Sequence, residues 1–286
     1  EFNGEKATDT FDLFPSSNFI LSVTENSNIR FSYSKTTARP SFKEASIAQI
    51  FDPLSNITYI GNIDLKPTYI DNLDLRFENF GENNQMFAVS AFYKSFKDPI
   101  ELSYFESARE NFQPRNLGNA TVYGAEIEAR KNISDYFSIN VNASIIESKQ
   151  KYGEAENTLR TLGLRSGETL SGSRQLQGQS PYLINASIDY KDDRTRAGLY
   201  FNMQGKTLEV VGNGISPDIY TYPFESLNFT FSKSFGKESK KSINIKAENL
   251  LNSKKESYAE SYNALNRLYS YRDQGLKFSI GYSINL

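Results

Sequence analysis

The chain has 286 residues, and 32 Lys and Arg against 34 Asp and Glu leave a formal charge of −2, which excludes the basic field that holds a nucleic-acid backbone. It contains neither Cys nor His, so disulfides, thiolate nucleophiles, imidazole bases, Ser-His triads and His-containing zinc sites are all excluded. Mean hydropathy is −0.54 despite 18 Tyr and 21 Phe, and no run approaches the roughly 18–20 consecutive apolar residues of a spanning helix; a transmembrane barrel stays open, because its strands need only every second residue apolar.

Glu1–Lys6 has no initiator Met, basic n-region or apolar h-region, so either a signal peptide has been removed or the chain is a piece of something longer. Period-2 alternation then dominates. Phe19, Leu21 and Val23 alternate with Asn18, Ser22 and Thr24, and Ile29, Phe31 and Tyr33 with Arg30, Ser32 and Ser34. Leu73, Leu75 and Phe77 alternate with Asp74, Arg76 and Glu78, and after Gly81-Glu82-Asn83-Asn84 come Phe87, Val89, Ala91 and Tyr93. Tyr123, Ala125, Ile127 and Ala129 oppose Glu126, Glu128 and Arg130; Phe137 to Ile145 oppose Ser138, Asn140, Asn142 and Ser144. The series continues through Tyr182–Tyr190, Ala197–Met203, Leu227–Phe235, Ile243–Ala247 and Leu276–Leu286, giving eleven strands and no convincing helix.

Five connections are short and polar (25–28, 81–84, 131–136, 191–195 and 236–241), and the five between them are long, about 39–65, 98–117, 149–179, 206–224 and 250–273. In an up-and-down antiparallel sheet, alternate connections fall at opposite ends, so all short turns lie on one rim and all long loops on the other. Outer-membrane barrels have this asymmetry, with short periplasmic turns and long extracellular loops. The polar face is too charged to be a core, so the apolar residues point to lipid and the polar ones to a wet lumen. The competing reading is a soluble β-sandwich with decorated loops. Bacterial single-chain barrels use even strand counts. An odd eleven therefore predicts that further strands precede Glu1 and that residues 1–286 form the C-terminal portion of a larger barrel.

Some motifs mislead. Gly205-Lys206-Thr207 imitates the end of a phosphate loop, but the required upstream Gly position holds Tyr200. Ser234-Phe235-Gly236-Lys237 has Ser-x-x-Lys spacing without its partner motifs. Glu126/Glu128 and Asp71/Asp74 invite an acid–base reading, yet charges on a lumen wall hydrate the pore or pair, here with Arg130. No catalytic residue, metal site or cofactor is expected, and an enzyme is not. In the long loops, Tyr104, Phe105, Arg109, Arg115, Arg165, Arg174, Tyr220, Tyr222, Arg267 and Tyr271 place aromatics and cations on the extracellular rim. Aromatic faces and guanidinium forks capture extended ligands from water, although girdle packing and local ion pairs use the same residue types.

Several segments resemble the TonB-dependent receptors of Gram-negative outer membranes, in the style of the Bacteroidetes outer-membrane β-barrel members. They are Tyr33-Ser34-Lys35-Thr36-Thr37-Ala38-Arg39-Pro40, Tyr59-Ile60-Gly61-Asn62 through Leu65-Lys66-Pro67, Val89-Ser90-Ala91-Phe92-Tyr93-Lys94, Asn119-Ala120-Thr121-Val122-Tyr123-Gly124-Ala125-Glu126, and Lys246-Ala247-Glu248-Asn249-Leu250-Leu251-Asn252. Each is weak; all in family order are strong. The last residues resemble the C-terminal signal read by the barrel-assembly machinery, with Ile280, Gly281, Ile284 and Leu286 in its apolar and Gly positions, Leu286 standing where an aromatic is commoner. The resemblance implies an all-β, antiparallel, up-and-down transmembrane barrel portion of about 11 strands, half of a barrel of about 22. It implies a bacterial outer-membrane location, a missing plug and TonB-contacting part, and active uptake of a bulky nutrient: iron chelate, vitamin, glycan or peptide. Implied partners are outer-membrane lipid, the TonB system, the barrel-assembly machinery and a surface lipoprotein. The alternative is a non-transporting barrel or surface-exposed scaffold that binds a partner protein.

Overall fold

The computed structural model describes residues 11–53, 57–105, 108–236 and 240–284, with 108–110 in backbone only. The hairpin β1 (Ser16–Thr24) and β2 (Ser27–Ala38) is followed by the short β3 (Gln49–Asp52) and β4 (Ile57–Ile60). Next, β5 (Thr68–Phe80) and β6 (Met86–Lys97) lead into β7 (Ile100–Phe105) and β8 (Ala108–Asn116). Then β9 (Ala120–Asn132) and β10 (Phe137–Lys151) precede a helix, α1 (Glu154–Leu162), and the two-residue β11 (Ser173–Arg174). Two further wall strands, β12 (Tyr182–Lys191) and β13 (Thr195–Gln204), precede β14 (Thr207–Val210) and β15 (Asp218–Thr221). Finally β16 (Phe224–Phe235) and β17 (Lys241–Glu248) are followed by β18 (Lys254–Glu260), β19 (Arg267–Asp273) and β20 (Lys277–Ile284).

The eleven long strands are the eleven read from alternation, joined antiparallel in chain order from β1 to β20, with β11 added beside β10. Two expectations are corrected. The connection after β10 holds α1, whose apolar stripe is too short to show a helical period; it is helped by acidic Glu154 and Glu156 in its first turn and Arg160 in its last. The long connections are also not bare loops. They carry β3, β4, β8 and β7 in one four-stranded sheet and β14, β15, β18 and β19 in another. Segments of four to nine residues leave too few alternations to stand out from irregular chain.

The wall is inside out relative to a soluble sheet. On β5, Leu73, Leu75 and Phe77 are 38, 52 and 39% exposed, while Asn72 and Glu78 on the other face are 8 and 4% exposed. The register continues this across strands: Phe31 faces Leu75, then Ala91, Ala125 and Ile145, forming one apolar row. Such a row is satisfied by hydrocarbon and not by water. Tight turns fit their sequences. Asn83 and Asn84 both take positive φ, 53° and 61°, which the β5–β6 hairpin requires and which Asn tolerates. Every residue of β1 and β20 is exposed, and these strands form the two edges of the open sheet.

Candidate functional site

The concave face carries a transverse belt of polar side chains set by strand register. Arg30 on β2 pairs with Glu78 on β5. Arg76 bridges Glu78 at 3.1 Å and Glu128 on β9 at 3.0 Å, and donates to Ser90 Oγ at 3.2 Å. The sequence reading paired the glutamates with Arg130. Instead Glu128 takes Arg76, and Arg130 Nε donates to Asn140 Oδ1 at 3.0 Å. Asn140 continues the belt to Ser187 Oγ and Asp189 Oδ2, both at 3.1 Å, and Tyr200 donates to Asp189 Oδ1 at 2.7 Å. Tyr200 reaches that acid by lying over Gly198, where a Cβ would sit 2.3 Å from its hydroxyl oxygen. Gly124 works the same way: a Cβ there would meet Ile145 O at 2.3 Å and the Phe92 ring at 2.9 Å. Arg30, Arg76, Glu78 and Glu128 are thus held in mutual pairing, and the belt gives the wall a wetted, polar surface.

At the long-connection rim the two small sheets are joined through a parallel bridge between Ser103 and Val211, with Val211 N donating to Leu102 O at 3.0 Å. Their shared core is Tyr104, Phe112, Val210 and Ile219, with Tyr104 and Phe112 edge-on at 5.0 Å. Beside it runs a chain of five charges. Arg174 clamps both oxygens of Glu101 at 2.8 Å and Glu156 Oε1 at 2.8 Å. Arg160 donates to the same Glu156 oxygen at 2.8 Å and forks onto Asp218 at 2.7 and 3.2 Å. The side chains of Glu101, Arg174 and Glu156 are only 2–3% exposed. Burial pulls the Arg160 and Arg174 guanidiniums down. Asp218 and Glu156 for the one, and Glu101 and Glu156 for the other, outweigh it, so both are held above the ordinary arginine value.

The predicted rim residues divide by fate. Tyr104 and Arg174 are buried, Tyr104 in the core, where burial pushes its hydroxyl up to about 12. Tyr220 lies under the Lys206 ammonium, 4.3 Å from its ring centre, and burial raises its hydroxyl. The Tyr222 ring packs tilted against Tyr258 at 4.6 Å, and its hydroxyl donates to Glu260 at 2.8 Å, a bond that raises it. Phe105 is half-buried at the end of β7, and half-buried Arg115 donates to Gln113 Oε1 at 3.0 Å. Exposed Arg165 donates to Tyr262 O at 3.0 Å. Arg267 and Tyr271 are exposed on β19, and Tyr271 lines an open cavity of about 740 Å³ between the two small sheets. That cavity combines Leu268, Tyr269 and Phe112 with Glu209, Lys255 and Arg272, a surface able to hold an amphipathic solute. On β20, Ile280 and Ile284 are exposed on the apolar face and Gly281 faces Asn244. The side chain of Arg109 and residue Leu286 lie outside the described residues. Sequence reasoning missed Glu101, Glu156, Gln177 and Asp218: Glu101 and Asp218 meet arginines 73 and 58 residues away, and Glu156 and Arg160 are four apart on a helix that the sequence did not reveal.

The family model for the outer membrane protein beta-barrel family matches residues 2–282. Among solved structures the chain is similar to the ferric enterobactin receptor PfeA of Pseudomonas aeruginosa, with 14% identity and a TM-score of 0.60 over 95% of this chain and 40% of that one. It is also similar to the ferric-catecholate import receptor Fiu of E. coli K12, with 14% identity and a TM-score of 0.60 over 94% of this chain and 34% of that one. A copper transporter, OprC, aligns with a TM-score of 0.64 at 14% identity, over 94% of this chain and 38% of that one. The chain therefore spans between a third and two-fifths of the length of these proteins and shares the fold of part of them. No curated protein matches the sequence. An inside-out wall of eleven strands and a match along nearly all of its length place this protein in the bacterial outer membrane, and it belongs to the outer membrane protein beta-barrel family.

Proposed function

We propose that the chain forms the C-terminal part of the barrel of a TonB-dependent receptor that takes up a bulky nutrient, with its long connections facing the cell exterior. The observation that carries this reading is the polarity of the wall: apolar rows outward, a paired polar belt inward, and every long, folded connection on one rim. The bare edges of β1 and β20 support additional strands closing the ring. Ile280, Gly281, Ile284 and Leu286 serve as the signal for the assembly machinery. TonB acts through a further part of the protein, and a surface lipoprotein docks on the outer rim. Ligand capture falls to the exposed members of the predicted set, Arg165, Arg267 and Tyr271, while Tyr104 and Arg174 hold the rim together. Relatives named for ferric enterobactin, ferric catecholates and copper support metal-bearing solutes as the first class to test, ahead of vitamins, glycans and peptides.

The test is uptake of labelled solutes of each class by cells expressing the complete reading frame, with and without an energised TonB system. TonB-dependent accumulation that falls about tenfold in the Arg267→Ala, Tyr271→Ala double variant supports transport. Binding without accumulation identifies a surface scaffold instead.

A further inference from the structure

The connection after α1 does not stay at the rim. Residues 173–180 fold across the concave wall, where Leu176 seats in an apolar socket of Ala120 and Val122, flanked by Phe92, Phe96 and Ile146. Leu176 N donates to Ser148 Oγ at 3.1 Å, Gln177 N to Glu101 Oε1 at 2.9 Å and Gly178 N to Leu208 O at 2.9 Å. The Gln177 side chain also donates to Leu102 O at 3.0 Å and Glu209 O at 2.5 Å, tying β7 to β14. Arg174, paired in register with Gln150 on β10, adds the clamp on Glu101 and Glu156.

Beside this segment, across the β10–β11 register from Arg174, lies an opposing feature. Gln150 is fully buried, and neither its amide nitrogen nor its amide oxygen has a hydrogen-bond partner. A primary amide sealed from water with both ends unpaired disfavours the state that seals it, and Arg174 of the segment is its cross-strand neighbour in that state. We propose that residues 173–180 are a displaceable strap over the concave wall, seated by Arg174, Leu176 and Gln177 and biased toward release by the orphaned amide of Gln150. The strap lies against the long-connection ends of β9 and β10, so its displacement would widen the lumen there, a consequence that rests on the reading of the concave face as a solute path. The inference is independent of which solute is carried.

The experiment is hydrogen–deuterium exchange on the complete protein in detergent, read at the amides of Leu176, Gln177 and Gly178, with β12 and β13 as internal reference. Gln150→Leu keeps the volume and removes the amide, so exchange at the three positions should slow by about 5- to 100-fold, the range set by an unpaired buried polar group. Leu176→Ala should speed the same three amides and leave the reference unchanged. Gln150→Met serves if the leucine variant does not assemble. Unchanged or faster exchange in a folded Gln150→Leu or Gln150→Met protein overturns the proposal, because the amide is then satisfied in the seated state. Exchange that moves equally in strap and reference also overturns it, as global stability and not strap displacement.

Discussion

Adding one charge to the outward row tests the sidedness of the wall. Leu75 is the eighth of the 13 residues of β5 and is 52% exposed. At about 3.3 Å per residue and a tilt of about 40°, 13 residues reach about 33 Å along the membrane normal, more than the apolar band of about 25 Å. Leu75 therefore sits near mid-depth, where a lysine facing lipid costs about 2–4 kcal/mol. Half of the leucine surface touches no protein, so lost packing adds on the order of 1 kcal/mol or less. The lipid cost alone should shift the folding equilibrium of Leu75→Lys by about 30- to 700-fold, and lost packing by up to about fivefold more. The control is Ser32→Lys, on the concave face and in register with Asp74, expected within about 0.5 kcal/mol of the parent. Denaturant unfolding of the protein in liposomes measures both, and heat-dependent gel mobility reports assembly in cells. Equal tolerance of the two lysines, or greater damage from Ser32→Lys, would refute the assignment of faces.

Three further outcomes follow from particular side chains. Arg174→Met leaves Glu101 and Glu156 facing each other in a site only 2–3% exposed and should cost about 3–5 kcal/mol, seen as new protease cleavage in the connections at 98–117 and 149–179. Asn249 has φ 56° and joins Ser253 O at 3.2 Å to Gly275 O at 3.1 Å, so Asn249→Ala should cost about 2 kcal/mol and slow assembly of the last strands, read as a delayed gel-mobility shift. Asp192 in the β12–β13 turn has its carboxyl held down to about 2 from 3.8, first by the Tyr190 hydroxyl and then by backbone N–H groups. A depressed carboxylate stabilises above its unfolded value, so this contribution is present above about pH 4 and is lost as pH falls toward about 2. Asp192→Asn should flatten that limb of the unfolding-midpoint curve, and an unchanged curve would count against the assignment.

The wall was legible because its strands are long and one-sided. Eight to fifteen residues of strict alternation cannot be mistaken for helix, and the Gly81–Asn84 and Asp192–Arg194 turns announce themselves. The motifs carried over by resemblance also acquire causes: Gly124 makes room for the Phe92 ring, and Asn249 takes a left-handed turn that few residues accept. The rim was less legible. Tyr104 and Tyr271 are the same residue type in the same class of connection, yet one is core and the other 59% exposed. What separates them is the partner strand each lies beside, and short strands do not declare their partners. Arg174 reads as a free cation until Glu101, 73 residues earlier, is brought against it.

The charge chain at the rim follows from where the apolar residues went. With the large side chains of the wall committed to lipid, the connections are ordered by small clusters, among the described residues the core of Tyr104, Phe112, Val210 and Ile219 and the socket that holds Leu176. Removing ions from water is expensive, so Glu101, Arg174 and Glu156 add little net stability, but their fork geometry tolerates few arrangements. The chain should therefore set which arrangement forms more than how firmly it holds. Replacing all three together, as in Glu101→Leu, Arg174→Met and Glu156→Leu, should leave the unfolding midpoint within about 1 kcal/mol of the parent or above it. The same protein should show broadened or multiple resonances for labelled tyrosines at 104 and 220, because several loop packings become comparable in energy. A single sharp set of resonances together with a large drop in midpoint would mean that the ions supply stability and not uniqueness.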